Sequence, residues 1–427
     1  ARGWTPARLA ARIVGWVGAA FGFRLQRQAR SVGVLGRCSV LVVGAGPAGA
    51  ELGRCLAKAG VDVCVIDRLP DLRRAAFSSA AMPMAAVEEF GLPAQVVGSR
   101  WTSWNLLGPS GQWRAWQQQQ PLGVVLDFGA LRCWLSEQLQ AWGGRLQLGW
   151  TALGSESAAD GGVITHCRDA SGAHRSIRSD WLIDASGQQR ALIGDGALAP
   201  DPMVSGVGLE WLLQVNQQQW LRWQGSLSFV LGSQWVPQGY GWVFPMQPGV
   251  LKLGVCRLLD PRRPQPGLQT LQQQLLAQLD LANAEVLDRH GGLMRSRIRR
   301  QDCHGRGRLV ALGDAVSTGN LLGGEGIRHA MTSARVLASL LQHPQADLTS
   351  RYRKALRQQL GWRWTLSGRL ARRTWLGLHS PKADQRLEHW LRALERCSAV
   401  ELSALLFDYR FERFGWRALP YVLGLGR

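Results

Sequence analysis

Gly44, Gly46 and Gly49 stand in the run VLVVGAGPAGAELGRCLAKAGVDVCVID, from Val40 to Asp67. Gly44 permits a tight turn, Gly46 has no Cβ to obstruct a pyrophosphate, and Gly49 lets a helix approach a strand closely. Pro47 suits the first helical position and Ala48 follows it, so that helix N-terminal amides face phosphate oxygens. Asp67, eighteen residues beyond Gly49, is placed to accept hydrogen bonds from a ribose diol. Together these residues point to a dinucleotide held at its phosphates and at one ribose.

Two later glycine sites carry similar chemistry. SDWLIDASGQQR is an apolar stretch ending on Asp184 and Gly187, either an ordinary strand end or a second turn brought to the nucleotide. RLVALGDAVSTGNLLGGEGIRHAMTSARVLASLLQHP delivers Asp314, then Gly319, Gly323, Gly324 and Gly326, and enters a helix at Ile327. Closely spaced glycines before a helix expose amides to an anionic or electron-rich group. Between these sites, VPQGYGWVFPMQPG alternates so that Tyr240, Trp242 and Phe244 share one strand face. Periodicity leaves open whether that face is core or the wall of a pocket for a flat or greasy substrate.

The elements that must position these residues can be read coarsely. A strand is expected at Val40–Val43, a helix from Pro47 to Gly60 and a strand from Val61 to Ile66 delivering Asp67. WTSWNLLGPSGQWRAW reads as two strands around Gly108–Gly111, and LDFGALRCWLSEQLQAWGG as an amphipathic helix with a glycine stop leading into the strand RLQLGW. The helix opening at Ile327 turns Ala330, Met331, Ala334, Ala338 and Leu341 inward, and Pro344 follows its end. No internal repeat and no second GxGxxG followed by a strand and an acid is present.

Composition bounds the class. The chain has 427 residues and a formal charge of +20, concentrated at its ends. Residues 1–37 hold seven Arg and no acid, and residues 351–427 hold sixteen basic against six acidic residues. That distribution suits an anionic membrane surface or an acidic protein; the absence of any recognisable nucleic-acid-binding motif speaks against nucleic acid. The eight Cys are scattered with no CxxC pair, so reduced core thiols are expected and no metal site. Leu9–Phe23 is apolar but short of a spanning helix and flanked by Arg, which leaves a targeting remnant, an in-plane membrane helix or a packed helix open.

GAGPAG, IDASG, GYGWVFP and GDAVSTGNLLGGEGI occur in this order over about Val40–Pro344. The set resembles the flavoprotein oxidoreductases of the geranylgeranyl reductase type, within the p-hydroxybenzoate hydroxylase fold. The resemblance implies an α/β protein: a Rossmann-like FAD-binding domain, an inserted antiparallel β-sheet substrate domain and a helical C-terminal region. It places the FAD domain at 38–98, 120–195 and 300–345, the substrate sheet at 99–119 and 196–299, a basic extension at 1–37 and a basic helical region at 346–427. It implies that Gly44, Gly46, Pro47, Ala48 and Gly49 hold the pyrophosphate and Asp67 the adenosine ribose. Asp184 and Gly187 would supply a second turn, Asp314 would meet the ribityl chain or phosphates, and Gly323, Gly324, Gly326 and Ile327 would run beside the isoalloxazine. Tyr240, Trp242 and Phe244 become the substrate-pocket wall. The chain departs from that pattern at Asn320-Leu321, where relatives have Asn-Pro, at Phe128, where many have Arg, and at FSSAAMP, where plant-type prenyl reductases have Cys-Gly-Gly. Arg132, one turn beyond Phe128, is the candidate replacement for the missing Arg.

The implied activity is hydride transfer from reduced FAD to a C=C bond of an isoprenoid or other hydrophobic substrate. Flavin monooxygenation, lycopene-type cyclisation with Glu210 or Glu325 as the acid to test, and a non-catalytic flavin-binding carrier or assembly factor are the alternatives. Electrons would come from NAD(P)H or reduced ferredoxin, an acidic protein. Arg295, Arg297 and Arg299 are either a docking face for that donor or for a substrate diphosphate, or a solvated strand face. The basic, Trp-rich residues after Pro344 are expected to cap the substrate domain or to lie on a membrane. A cytoplasmic location is expected, with peripheral membrane association left open.

Overall fold

The computed structural model describes residues 34–75, 78–195 and 203–412. The readings for the basic N-terminal stretch, including Leu9–Phe23, lie outside the described residues.

The nucleotide-binding half is built on a parallel sheet ordered Leu309–Ala311, His174–Asp184, Val34–Val43, Val63–Asp67, Arg145–Leu148. Its central strands end in apolar runs because both faces are buried, one under α1 (Pro47–Lys58) and the helix Ile327–Leu341, the other against Val163 and Cys167 of the strand Val163–Arg168. The central strand starts at Val34 rather than Val40, because it is extended by pairing with Ser176–Ser179. In the register, Val43 lies opposite Ile66 on one side and Asp184 on the other, and Asp184 lies opposite Ala311. All these strands therefore end at one crevice, the place where such sheets bind ligands.

Helix α1 (Pro47–Lys58) starts at Pro47, with Gly46 as its N-cap, and packs Ala48, Leu52 and Leu56 into the core. It stops two residues before the expected Gly60, which takes the left-handed turn at φ 77°. Helix α2 (Met84–Phe90) is the short helix after FSSAAMP, and α3 (Phe128–Ala141) is N-capped by the Asp127 carboxylate, which accepts from the Ala130 amide at 2.8 Å.

The second sheet has seven strands in the order Glu285–Arg297, Met203–Gln214, Val250–Leu258, Gly239–Gln247, Ser226–Leu231, Ser103–Leu107, Trp113–Gln117. It is antiparallel apart from one parallel pair, Ser226–Leu231 with Ser103–Leu107. Alternation sorts its faces. Tyr240, Trp242 and Phe244 enter one apolar cluster, whereas Val243, Leu253 and Val255 enter another under α4 (Gln217–Trp223) and α5 (Leu268–Gln278). A three-stranded sheet pairs Ala81–Pro83 and Val97–Trp101 on either side of Gly123–Leu126.

Helix α6 (Ile327–Leu341) buries Ala330, Met331, Ala334, Ala338 and Leu341, as its spacing predicts. It is followed by α7 (Leu348–Gly377), kinked at Gly361 where φ is 70°, then by α8 (Pro381–Leu394) and α9 (Ala399–Leu406). These last helices cover the aromatic face of the seven-stranded sheet: Trp375, Leu391, Leu402 and Phe407 share a cluster with Tyr240, Trp242 and Phe244. Among the described residues no helix is long and apolar enough to cross a membrane.

Candidate active site

The first glycine turn has the geometry of a phosphate cradle. A Cβ on Gly49 would lie 1.9 Å from the Gly44 carbonyl oxygen, and one on Gly44, at φ 111°, would lie 2.4 Å from that of Ala185. Both glycines are therefore demanded by close backbone packing. Gly46 is different, because a Cβ there meets no protein atom within 4 Å. It leaves open space at the N-terminus of α1, where backbone amides suit an anionic group. Asp67 accepts from the Ala45 amide at 2.7 Å and the Leu69 amide at 2.8 Å, one on each oxygen, which leaves lone pairs for a diol. Arg132 is buried, the Asp67 carboxylate contributes to its charge environment, and its Nε has no partner among the described residues. The guanidinium also donates to the Arg74 carbonyl, and its unpartnered Nε, close enough to Asp67 to feel its charge, suits an anionic group.

Asp184 is a correction. It is fully buried, and both its oxygens are occupied by the Ser186 amide and hydroxyl and by the Leu192 and Ile193 amides. Its carboxylate braces the turn carrying Gly187 and has no capacity left for a ligand. Gly187 itself, at φ 70°, is open, with no protein atom within 4 Å of an added Cβ.

The second glycine loop meets the aromatic strand. Asp314 lines a cavity of about 300 Å³ together with Pro47, Phe128, Gly323, Gly324, Gly326 and Ile327, and with Tyr240, Trp242 and Phe244 opposite. Burial raises the Asp314 carboxyl above its ordinary value, against the Thr318 hydroxyl, which donates to it at 3.1 Å. Gly324, at φ 68°, leaves no room for a side chain, since a Cβ would lie 2.6 Å from the Tyr240 hydroxyl. The loop holds its shape without the Asn-Pro of its relatives. Asn320 bonds Ser367 and the Leu322 and Glu325 backbones, and the Trp375 indole donates to the carbonyls of Leu321 and Leu322.

A second cavity of about 180 Å³ shares Tyr240, Phe244, Gly323, Gly324, Gly326 and Ile327 with the first and runs on among Trp104, Leu227, Leu387, Trp390, Leu391 and Leu402. Its wall is almost wholly apolar. Tyr240 stands at the junction, its ring 5.0 Å from Trp375, and burial pushes its phenol well above the usual value. Trp242 lies across Gly254, where a Cβ would come within 2.1 Å of the ring, and donates its indole N–H to Glu210 at 2.9 Å. The aromatic face is thus pocket wall and core at once.

The remaining sequence candidates are committed elsewhere. Glu210 is buried, bonded to Trp242 and to His290. Glu325 lines the second cavity, but although burial alone would raise its carboxyl, Arg328 first and then His329 hold it down at about 2, and the Arg328 guanidinium offsets its charge, burial having lowered His329 below its ordinary value. Arg295 pairs with Asp195, and Arg297 is buried near Asp302, which also faces Arg190. Neither presents a free docking charge.

Sequence reasoning missed three contributors. Trp375 and the leucines of α8 wall the cavity; the i, i+4, i+7 spacing of Leu387, Leu391 and Leu394 was the available signal. Ser78 and Ser79 line both cavities, held by buried Lys252, whose ammonium donates to the carbonyls of Ser78, Ser79 and Leu126. A lysine in a strand of the sequence gives no sign of this.

Fold and site together define an FAD-dependent oxidoreductase. Residues 37–95 match the FAD binding domain family model. The fold is similar to that of a geranylgeranyl bacteriochlorophyll reductase-like protein from Thermoplasma acidophilum, with a TM-score of 0.74 and 18% identity over 88% of this chain and 99% of that one. It is also similar to p-nitrophenol 4-monooxygenase from Pseudomonas putida, with a TM-score of 0.65 and 18% identity over 88% and 98% of the two chains. The expected p-hydroxybenzoate hydroxylase-like architecture is borne out. In sequence, the chain is 27% identical to digeranylgeranylglycerophospholipid reductase of Haloferax volcanii, over 70% of this chain and 74% of that one. It is 26% identical to geranylgeranyl diphosphate reductase of Synechocystis, over 71% and 74%, and 27% identical to menaquinone reductase of Mycobacterium tuberculosis, over 78% and 83%. The resemblance to flavoproteins of the geranylgeranyl reductase type is borne out by these relatives.

Proposed function

We propose that this protein reduces C=C bonds of an isoprenoid chain with FAD as the hydride-carrying cofactor. The observation that carries the reading is the pair of adjoining, mostly apolar cavities. They begin at the Gly323–Ile327 loop, pass Tyr240, Trp242 and Phe244, and extend under α8 and α9. The relatives named for geranylgeranyl and menaquinone substrates support it.

FAD, when bound, supplies the hydride. Gly44, Gly46 and Gly49 with the α1 amides hold its pyrophosphate, Asp67 its ribose, and Asp314 and Gly187 the segment between. The positive end of α6 at Ile327 favours negative charge beside it. The aromatic strand and Trp375 hold the chain and exclude water, which keeps the reactive centre dry. The electrons come from NAD(P)H or reduced ferredoxin. The segments 38–98, 120–195 and 300–345 form the cofactor domain, and 99–119 with 196–299 the substrate domain.

The cyclase reading is not favoured, because Glu210 and Glu325 already have charged or hydrogen-bonding partners. The test is anaerobic incubation of the chemically reduced protein with geranylgeranyl diphosphate, a digeranylgeranyl lipid and menaquinone, followed by mass spectrometry. Gain of paired hydrogens in one of them is the expected result. Oxygen insertion under air, or no change in any, would overturn the reading.

A further inference from the structure

The helices that roof the oily cavity keep apolar residues inward and leave basic ones exposed. α8 turns Leu387, Trp390, Leu391 and Leu394 onto the cavity. Its acids are held by the protein: Glu388 is buried against Arg114, and Asp384 accepts from the Ser233 amide and hydroxyl. Glu395, just past the helix, pairs with the same Arg114. What remains outward is Lys382, Arg386, His389 and Arg392.

α7 has no Asp or Glu from end to end, and exposes Arg369, Arg372 and Arg373 in the turns before Trp375, which closes the cavity. Trp362, 61% exposed, lies two turns before Arg369 on the same helical face. Among the described residues, Arg369, Arg372, Lys382 and Arg386 form no ion pair.

Asp384 and Glu388 are turned to protein partners, and the exposed acids Glu395 and Glu412 are taken by Arg114 and Arg363, so the exposed Arg369, Arg372, Lys382 and Arg386 are left without an acid among the described residues. The missing counter-charge is external. An exposed Trp beside exposed Arg suits the interface of a bilayer, where the ring sits at headgroup depth and the cations meet anionic lipid. We infer that the outer faces of α7 and α8 seat this protein on an anionic bilayer, with the cavity beneath them receiving a lipid from it. The seating rests on charge and exposure alone; the lipid's entry rests also on the isoprenoid reading above.

The full chain is sedimented with vesicles of phosphatidylcholine and with vesicles containing equal parts phosphatidylglycerol. The expected result is binding to the anionic vesicles, weak binding to the neutral ones, and loss of binding at high salt. R369E/R372E/K382E/R386E should lower anionic-vesicle partitioning at least about tenfold, since each cation near such a surface contributes on the order of 1 kcal/mol. It should keep bound FAD and reduce detergent-solubilised substrate at the parent rate. The basic N-terminal stretch is present in both proteins, so its contribution cancels. Equal binding to both vesicle types, or a variant that partitions like the parent, overturns the inference. So does a variant that keeps vesicle binding and loses only reduction by ferredoxin, which would assign the surface to an acidic protein. If the fourfold variant does not fold, the pairs R369E/R372E and K382E/R386E are read separately against the same outcomes. Vesicle binding requires no turnover, so its failure is distinct from failure of the reduction assay.

Discussion

The glycine cradle and the oily cavity are built on opposite plans. In the cradle the backbone sets the shape and side chains are excluded: a Cβ on Gly44 or Gly49 would meet a carbonyl oxygen, and Gly46 faces open space. In the cavity the side chains make the wall, and residues from widely separated stretches meet. Tyr240 and Phe244 come from one strand, Trp104 and Leu227 from two others, and Leu391 and Leu402 from helices more than a hundred residues downstream. A backbone site fails abruptly when one Cβ is added. A side-chain site is expected to fail by degrees.

That contrast can be broken most sharply at the glycines. Gly49→Val should give no soluble folded protein, since its Cβ would sit 1.9 Å from the Gly44 oxygen. Gly46→Val should fold with an unchanged circular dichroism spectrum yet purify colourless. If both variants behave alike, the distinction between packing glycine and ligand glycine is wrong.

Next in size is the aromatic wall. Trp242→Ala removes a buried ring and leaves Glu210 without its indole partner, and should cost about 3–5 kcal/mol in urea unfolding. It should retain FAD while raising KM for the lipid. Loss of FAD instead would show that the two halves are not separable.

A pH experiment probes the loop where they join. The Glu325 carboxyl is held at about 2 in the folded protein against an ordinary value of 4.5, so the folded state binds its proton later than the unfolded one. Its stabilising contribution is fully present above about 4.5 and is lost as pH falls toward 2, on the order of a few kcal/mol in total. Glu325→Gln should flatten the acid limb of the stability curve; an unchanged limb would show that Arg328 and His329 do not depend on that charge.

The smallest effect is expected deep in the second cavity. Leu391→Trp adds bulk on the α8 side of the second cavity, with an overpacking cost of about 1–3 kcal/mol. It should leave reduction of a short prenyl chain intact and slow that of a long one, compared as kcat/KM. Equal slowing of both would place the chain elsewhere.

The sequence by itself determined the cradle, because every requirement there is local. A turn, a close approach and a helix start fall within a few residues, and the carboxylate at Asp67 ends the next strand. It determined the face shared by Tyr240, Trp242 and Phe244 for the same reason, since strand alternation is a property of neighbours. It misjudged Asp184, whose strand-end position looks like Asp67's but whose oxygens are taken by amides eight and nine residues on. Only the tertiary structure decided that the C-terminal helices roof the cavity, that Lys252 holds Ser78 and Ser79 in its wall, and that Arg297 turns inward. Those facts depend on pairings between segments far apart in the chain. Local periodicity records which face of an element is apolar, but not which other apolar face it meets.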